Sequence, residues 1–183
     1  MRAVSLFPMI DVSRNHFELF GLPARYRVDE SALDAAYRKL QLEVHHDRFA
    51  RGMDAEKRMA LQSSARVNEA YRALKDPVQR AQYLLGMKGV DAVAETDTNL
   101  PMEFLERQLE RREAASEAIA AGDLRTLSSL RDTVRDEARE IEDHLARSLD
   151  TEGDYAKARP VVRELTFLAK LAEDIGAMAA SLD

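Results

Sequence analysis

The residues with the most chemical potential form a His-His-Asp run, His45, His46 and Asp47. Imidazole and carboxylate groups can hold a metal ion or transfer protons. A metal site needs further ligands at a suitable spacing, but the chain has no cysteine, and His16 and His144 are far away in sequence. Catalysis lacks support because no nucleophile stands at a recognisable spacing. Taken alone, the run therefore predicts solvated loop side chains, with no metal, no cofactor, no catalytic residue and no enzymatic activity.

Composition and charge restrict the class of protein. The 183 residues include only 7 glycines and 5 prolines, which favours helices over a β-rich fold. The lack of cysteine fits a reducing compartment, and no signal peptide is recognisable, so we expect a cytoplasmic protein. No apolar run reaches the roughly 18 residues of a membrane span. The net charge of −6 comes from the second half, so we expect two modules with different partners, and no binding of nucleic acid or membrane.

The elements that must position the His-His-Asp run begin with two helices. Asn15 and Glu18 have the spacing of a capping box, which predicts a short first helix that Gly21 ends. Asp29 is a good N-cap for a second helix. The apolar residues of that helix recur at spacings of three and four, and they are Leu33, Tyr37, Leu40 and Val44.

The second helix also carries cations. Arg38 and Lys39 lie off its apolar stripe, so by themselves they predict a solvated face. The polar stretch 45–52 then forms a loop. A third helix spans about 54–75, and Asp76-Pro77 begins a fourth, because Asp is a good N-cap and Pro suits the first helical position.

In the second half, residues 90–100 lack a sustained period and are interpreted as a linker. A fifth helix begins at Pro101 and runs to Gly122. Asp123 caps a sixth helix, which continues to about residue 149.

The last helix follows a turn at 151–154. Pro160 lies early in it and has no backbone donor, so we expect the regular helix to begin there or to kink just before it. The last two helices have continuous apolar stripes, which predicts a three-helix bundle. These stripes are Leu127, Leu130, Val134, Ala138, Ile141 and Leu145, and Leu165, Leu168, Ala172, Ile175, Ala179 and Leu182.

Three apolar residues do not fit these stripes. Leu105 and Leu109 lie about 40° apart on a helical wheel, but their stripe continues into Arg112 and so does not stay apolar. Phe167 stands off the seam of the last helix. Two interpretations remain open: the three are core residues between helices, or they form an exposed patch that marks a partner surface. Three acidic residues ring such a patch, namely Glu110, Glu113 and Glu117.

Ordered segments carry a family resemblance. The segments 37–40, 67–71 and 74–83, together with the His-His-Asp run, resemble in order and spacing a J-domain, the module by which co-chaperones stimulate DnaK-type chaperones. The opening segment 17–26 and the C-terminal segment 162–171 resemble the HscB family, the specialised J-proteins of iron–sulfur cluster assembly.

The resemblance implies an all-α protein with an N-terminal extension (1–14), a J-domain (15–89), a linker (90–100) and a C-terminal three-helix domain (101–183). It also implies a function. The C-terminal domain would bind the cluster scaffold IscU, and the J-domain would deliver it to the dedicated chaperone HscA and stimulate the ATPase of HscA.

On the J-domain, the resemblance assigns chaperone binding to His45, His46, Asp47, Arg38 and Lys39. Where the family has His-Pro-Asp, this chain has His45-His46-Asp47. The missing proline removes a restraint on the end of the second helix. Two acidic residues of that helix, Asp34 and Glu43, dilute its basic face.

On the C-terminal domain, the resemblance assigns scaffold binding to Leu105, Leu109 and Phe167 with the acidic residues Glu110, Glu113 and Glu117. The family usually has an apolar residue where this chain has Glu106, which weakens the patch or moves its edge. A generic J-protein with another client is an alternative, and so is a helical scaffold that dimerises through its C-terminal seam. We expect a monomer.

Overall fold

The computed structural model describes residues 11, 13–44, 54–92 and 100–182. Every regular element in these residues is helical, which confirms the predicted all-α fold. The chain divides into two compact units between Arg80 and Ala81. None of the described helices combines the length and the apolar character of a membrane span. The described residues form seven α-helices: α1 (His16–Phe20), α2 (Glu30–Val44), α3 (Asp54–Lys75), α4 (Pro77–Met87), α5 (Met102–Ala120), α6 (Leu124–Ala146) and α7 (Tyr155–Ala180).

The predicted capping box starts α1. The Asn15 side chain accepts a hydrogen bond from the Glu18 backbone N–H at 2.9 Å, and Glu18 Oε2 accepts one from the Asn15 N–H at 3.1 Å. Gly21 ends the helix in the left-handed region, at φ 67°, where an L side chain would be strained. Because α1 is only five residues long, its stability depends on packing, and Phe17 and Phe20 are buried.

An antiparallel pair, α2 and α3, forms most of the first unit. Leu33 and Val44 are buried on α2, as the predicted stripe requires. Where the helices cross, Tyr37 and Tyr71 stack with ring centroids 3.9 Å apart, and Tyr37 Oη donates to Asn68 Oδ1 at 2.9 Å. This polar and aromatic seam holds the two helices in one register.

The predicted start of α4 at Asp76-Pro77 is confirmed. Asp76 Oδ1 accepts a hydrogen bond from the Gln79 N–H at 2.8 Å. Arg80 is buried, and its Nη1 donates to the Leu74 carbonyl at 2.6 Å. Its guanidinium lies 5.1 Å from the ring centroid of Tyr26, so the start of α4 is fastened to the first unit.

The second unit includes the rest of α4 and a three-helix bundle of α5, α6 and α7. The predicted stripes of α6 and α7 are buried or packed against the buried residues, which confirms them. The core is apolar and consists mainly of Phe104, Leu127, Val134, Leu168, Leu171 and Ile175.

The connection between α6 and α7 differs from the prediction at Pro160. After α6, a π-helical turn covers Arg147–Glu152, and Gly153 takes the left-handed conformation at φ 66°. Asp154 then caps α7 by accepting from the Lys157 N–H at 3.0 Å. The helix therefore begins at Tyr155, so a start at Pro160 is wrong, whereas the alternative of a kink just before Pro160 stays a prediction. Local capping and the buried face of α7 outweigh the backbone hydrogen bond that the proline removes.

Candidate functional site

The residues predicted to bind a chaperone lie only partly within the described part of the chain. His45, His46 and Asp47 lie outside the described residues. Arg38 and Lys39 are exposed on α2, as the sequence predicts for residues off the apolar stripe. Neither makes an ion pair with another described residue, so both charges face solvent.

An acidic neighbour of these cations is directed elsewhere. Asp34 on α2 accepts hydrogen bonds from Tyr71 Oη at 2.9 Å and from Lys75 Nζ at 3.0 Å, both on α3. Lys75 also pairs with Glu30 at 3.0 Å. The hydrogen bonds from Lys75 and Tyr71 lower the pKa of Asp34, and the bond to Asp34 raises the pKa of Tyr71. Asp34 is therefore compensated mainly from α3, although the charge of Arg38 on its own helix also lowers its pKa.

The residues predicted to bind the scaffold fall into two groups. Leu105 and Leu109 are exposed on α5, at 36% and 59%. Phe167 on α7 is half-buried and packs against the core, with its ring edge-to-face with Phe104 at a centroid distance of 5.8 Å. Of the two open interpretations, surface exposure holds for the leucines, whereas the phenylalanine borders the core.

A residue outside the predicted site connects these groups. The Arg112 guanidinium lies 5.3 Å from the ring centroid of Phe167. Arg112 stands three residues after Leu109, so it is the next member of the Leu105–Leu109 stripe, and its contact brings that stripe to α7. In the sequence, the only sign of a role for Arg112 is that it ends the apolar stripe of α5. Its contact with Phe167 could not be predicted, because that contact depends on how α5 packs against α7.

Acidic side chains flank the leucines on the other side. The row consists of Glu106, Glu110, Glu113 and Glu117, all exposed on α5. None of the four forms an ion pair with another described residue. The three predicted acidic residues and Glu106 therefore form a negative edge along one side of the leucines, not a ring around them.

The other cations of α5 are engaged. Arg107 and Arg111 both pair with Glu137 on α6, at 3.4 Å and 2.5 Å. Burial raises the pKa of Glu164 on α7, and the nearby Glu137 carboxylate raises it further. These pairs tie α5 to α6 and leave the leucine face of α5 free of competing cations other than Arg112.

Taken together, this face of α5 has the features of a protein-binding surface. In the described part of the chain, no group of three His, Asp or Glu side chains is arranged to hold a metal ion. The face presents apolar side chains between an arginine stacked on an aromatic ring and a row of carboxylates. Such a mixture of an apolar centre and a charged rim is typical of protein–protein interfaces.

Two protein families match the chain. The DnaJ domain matches residues 15–83, and the HSCB C-terminal oligomerisation domain matches residues 100–176. A protein of Azoarcus sp. (strain BH72), described as a co-chaperone protein HscB homolog, is 49% identical over 166 residues, covering 91% of this chain and 94% of that protein.

Solved structures agree with these sequence relatives. Chaperone HscB from Vibrio cholerae is 34% identical with a TM-score of 0.81, covering 93% of this chain and 100% of that chain. Human co-chaperone protein HscB is 26% identical with a TM-score of 0.83, covering 90% of this chain and 82% of that chain. The similarity therefore extends over both units.

Proposed function

The chain belongs to the HscB family of J-domain co-chaperones, and we propose from this that it binds the scaffold IscU, targets it to the chaperone HscA and stimulates ATP hydrolysis by HscA. In this role the chain acts in the cytoplasm. It acts by binding its partners and does not itself catalyse a reaction. It shifts the chaperone between states by binding them with different affinity, which is the only way in which a binding partner can move such an equilibrium.

The observation that carries the proposal is the exposed apolar face of α5. Leu109 is 59% exposed although it lies in a helix with a well-packed opposite side. Burying a Leu side chain is worth roughly 1.5–3 kcal/mol, so covering this face with a partner is favourable. The glutamate row beside it favours a partner surface with lysines or arginines.

The J-domain side rests on the basic face of α2. Arg38 and Lys39 are exposed and unpaired among the described residues, which supports binding to an acidic chaperone surface. We assign the Asp47 carboxylate, in the chain between α2 and α3, to an ion pair with a chaperone arginine, as in the family. When an ion pair is desolvated at an interface, removing one of its two partners weakens the binding free energy by a few kcal/mol.

A steady-state ATPase assay of HscA tests the proposal, with this chain added in the presence and absence of IscU. We expect this chain to stimulate HscA, more strongly with IscU present, and the Asp47→Asn variant to lose most of the stimulation. Asp132→Asn is the matched control, because it removes an exposed carboxylate from α6. Equal stimulation by Asp47→Asn and the unchanged chain would contradict the assignment of Asp47. Stimulation that does not respond to IscU would favour a generic J-protein with another client.

We also propose that the chain is a monomer. The matched C-terminal family is described as an oligomerisation domain. In this chain, however, the α7 seam is used inside the bundle, since Leu165, Leu168 and Ile175 are buried. A dimer through this seam would have to open the bundle core. Sedimentation velocity over a hundredfold concentration range should give one constant monomer mass, and a rising mass would contradict the proposal.

A further inference from the structure

The apolar face of α5 continues beyond the residues that sequence analysis assigned. Met102 is the first residue of α5 and is 70% exposed, more than Leu105 or Leu109. On a helical wheel, Met102 lies about 20° from Leu109 and about 60° from Leu105. The three side chains therefore form one row along the helix, and seven residues correspond to a length of about 10 Å.

Packing within the bundle does not explain why residue 102 is apolar. The buried residues of α5 begin at Phe104, which lies on the opposite side of the helix from Met102. Exposed apolar side chains that stand alone are common, but a continuous row of three is not.

The charges beside the row identify the kind of partner. Glu106 and Glu113 border Met102 and Leu109 on one side, about 40° from the row, and they have no cation partner among the described residues. The nearby cation Arg107 is already paired with Glu103 and Glu137. A matching surface therefore has an apolar ridge with lysines or arginines along one edge.

We propose that Met102 is a contact residue of the scaffold-docking surface, which extends by one helical turn from Leu105 and Leu109 toward the start of α5. This inference rests on the proposed function, and its occupant is the cluster scaffold. Methionine suits this place because its unbranched, polarisable side chain adapts to the shape of a partner. The scaffold meets Met102 with apolar side chains, and its basic residues face Glu106 and Glu113.

Isothermal titration calorimetry of the full chain with the scaffold tests the inference. We expect Met102→Ala to weaken binding about tenfold, which corresponds to about 1.4 kcal/mol. Met102→Leu should bind within about twofold of the unchanged chain, and Met102→Glu should bind more weakly than Met102→Ala. The matched control is Leu124→Ala, because Leu124 is also an exposed apolar residue at the first position of its helix, at the far end of α5. This control should bind like the unchanged chain.

The outcomes separate this inference from the proposed function. If Leu109→Ala weakens binding and Met102→Ala does not, the surface ends at Leu105 and the inference is wrong, while the proposed function stands. If the unchanged chain does not bind the scaffold, the proposed function fails, and the inference fails with it. Thermal melting of each variant should stay within about 2 °C of the unchanged chain, since Met102 is mostly exposed; a larger loss would show that Met102 belongs to the packing of the bundle and would also overturn the inference.

Discussion

Leu109→Ala is the substitution that best separates binding from folding in the C-terminal unit. The Leu109 side chain is 59% exposed, so about two fifths of its surface is already buried in the free protein. Full burial of Leu is worth roughly 1.5–3 kcal/mol, which divides into roughly 0.6–1.2 kcal/mol for folding and roughly 0.9–1.8 kcal/mol for a partner that covers the rest. The second share predicts a 5- to 20-fold loss of scaffold affinity, by the relation of about 1.4 kcal/mol per factor of ten.

Leu127→Ala is the control for this prediction. Leu127 is fully buried in the same unit, and removing its side chain should cost about 2–5 kcal/mol of folding stability. A chain of this length loses about 2–4 °C of Tm for each kcal/mol. Leu109→Ala should therefore lower the Tm by no more than about 5 °C, and Leu127→Ala should lower it by clearly more.

The assay combines differential scanning calorimetry with titration of the scaffold at a temperature where all variants are folded. We expect Leu109→Ala to bind weakly with almost unchanged melting, and Leu127→Ala to melt early but to bind with nearly full affinity. The reverse pattern, a large loss of Tm for Leu109→Ala with full binding, would refute the division of burial between folding and docking.

Three further predictions concern the first unit. His46→Pro should raise stimulation of HscA, because proline pushes His45 toward extended backbone and leaves less loop to order on binding; unchanged or lower stimulation with an intact fold would contradict this. Arg38→Gln with Lys39→Gln should weaken chaperone binding at 50 mM salt far more than at 500 mM, since exposed charges act through screened attraction; an equal loss at both salt concentrations would argue for a role in packing. Burial lowers the pKa of His16, as does nearby Arg66, so the unfolded chain binds the proton more readily and stability falls as the pH falls below about 6.5. Urea unfolding of the first unit between pH 7.5 and 5.5 should show this loss, and His16→Gln should reduce it; a slope that does not change would show that other groups cause it.

The starts of α1, α4 and α6 could be predicted from the sequence because capping is local, whereas the start of α7 was not predicted. Asn15 bonds a backbone N–H three residues away, and Asp76 and Asp123 do the same at α4 and α6, so each start signal is contained in four residues. The apolar stripes of α6 and α7 were equally readable, since helical spacing alone decides which residues share a face. The order of the J-domain segments likewise indicated the family without any knowledge of contacts.

Which residues form the proposed scaffold-docking surface depended on tertiary structure. Spacing grouped Leu105 with Leu109, but only the packing of α5 against α7 determined that both stay exposed while Phe167 borders the core. The same packing placed Arg112 on the Phe167 ring, a contact between residues 55 positions apart in sequence.

Partner choice among the charged residues was also decided by the fold. Asp34 belongs by sequence to the helix with the basic face, yet its partners Tyr71 and Lys75 are on α3. Likewise Arg107 pairs with Glu137 of α6 as well as with Glu103 of its own helix, while Glu106 and Glu110 of that helix face solvent. Spacing in the sequence indicates which face of a helix a side chain lies on. Whether that face is buried, paired or left exposed depends on which distant element packs against it, and only the assembled helices determine that.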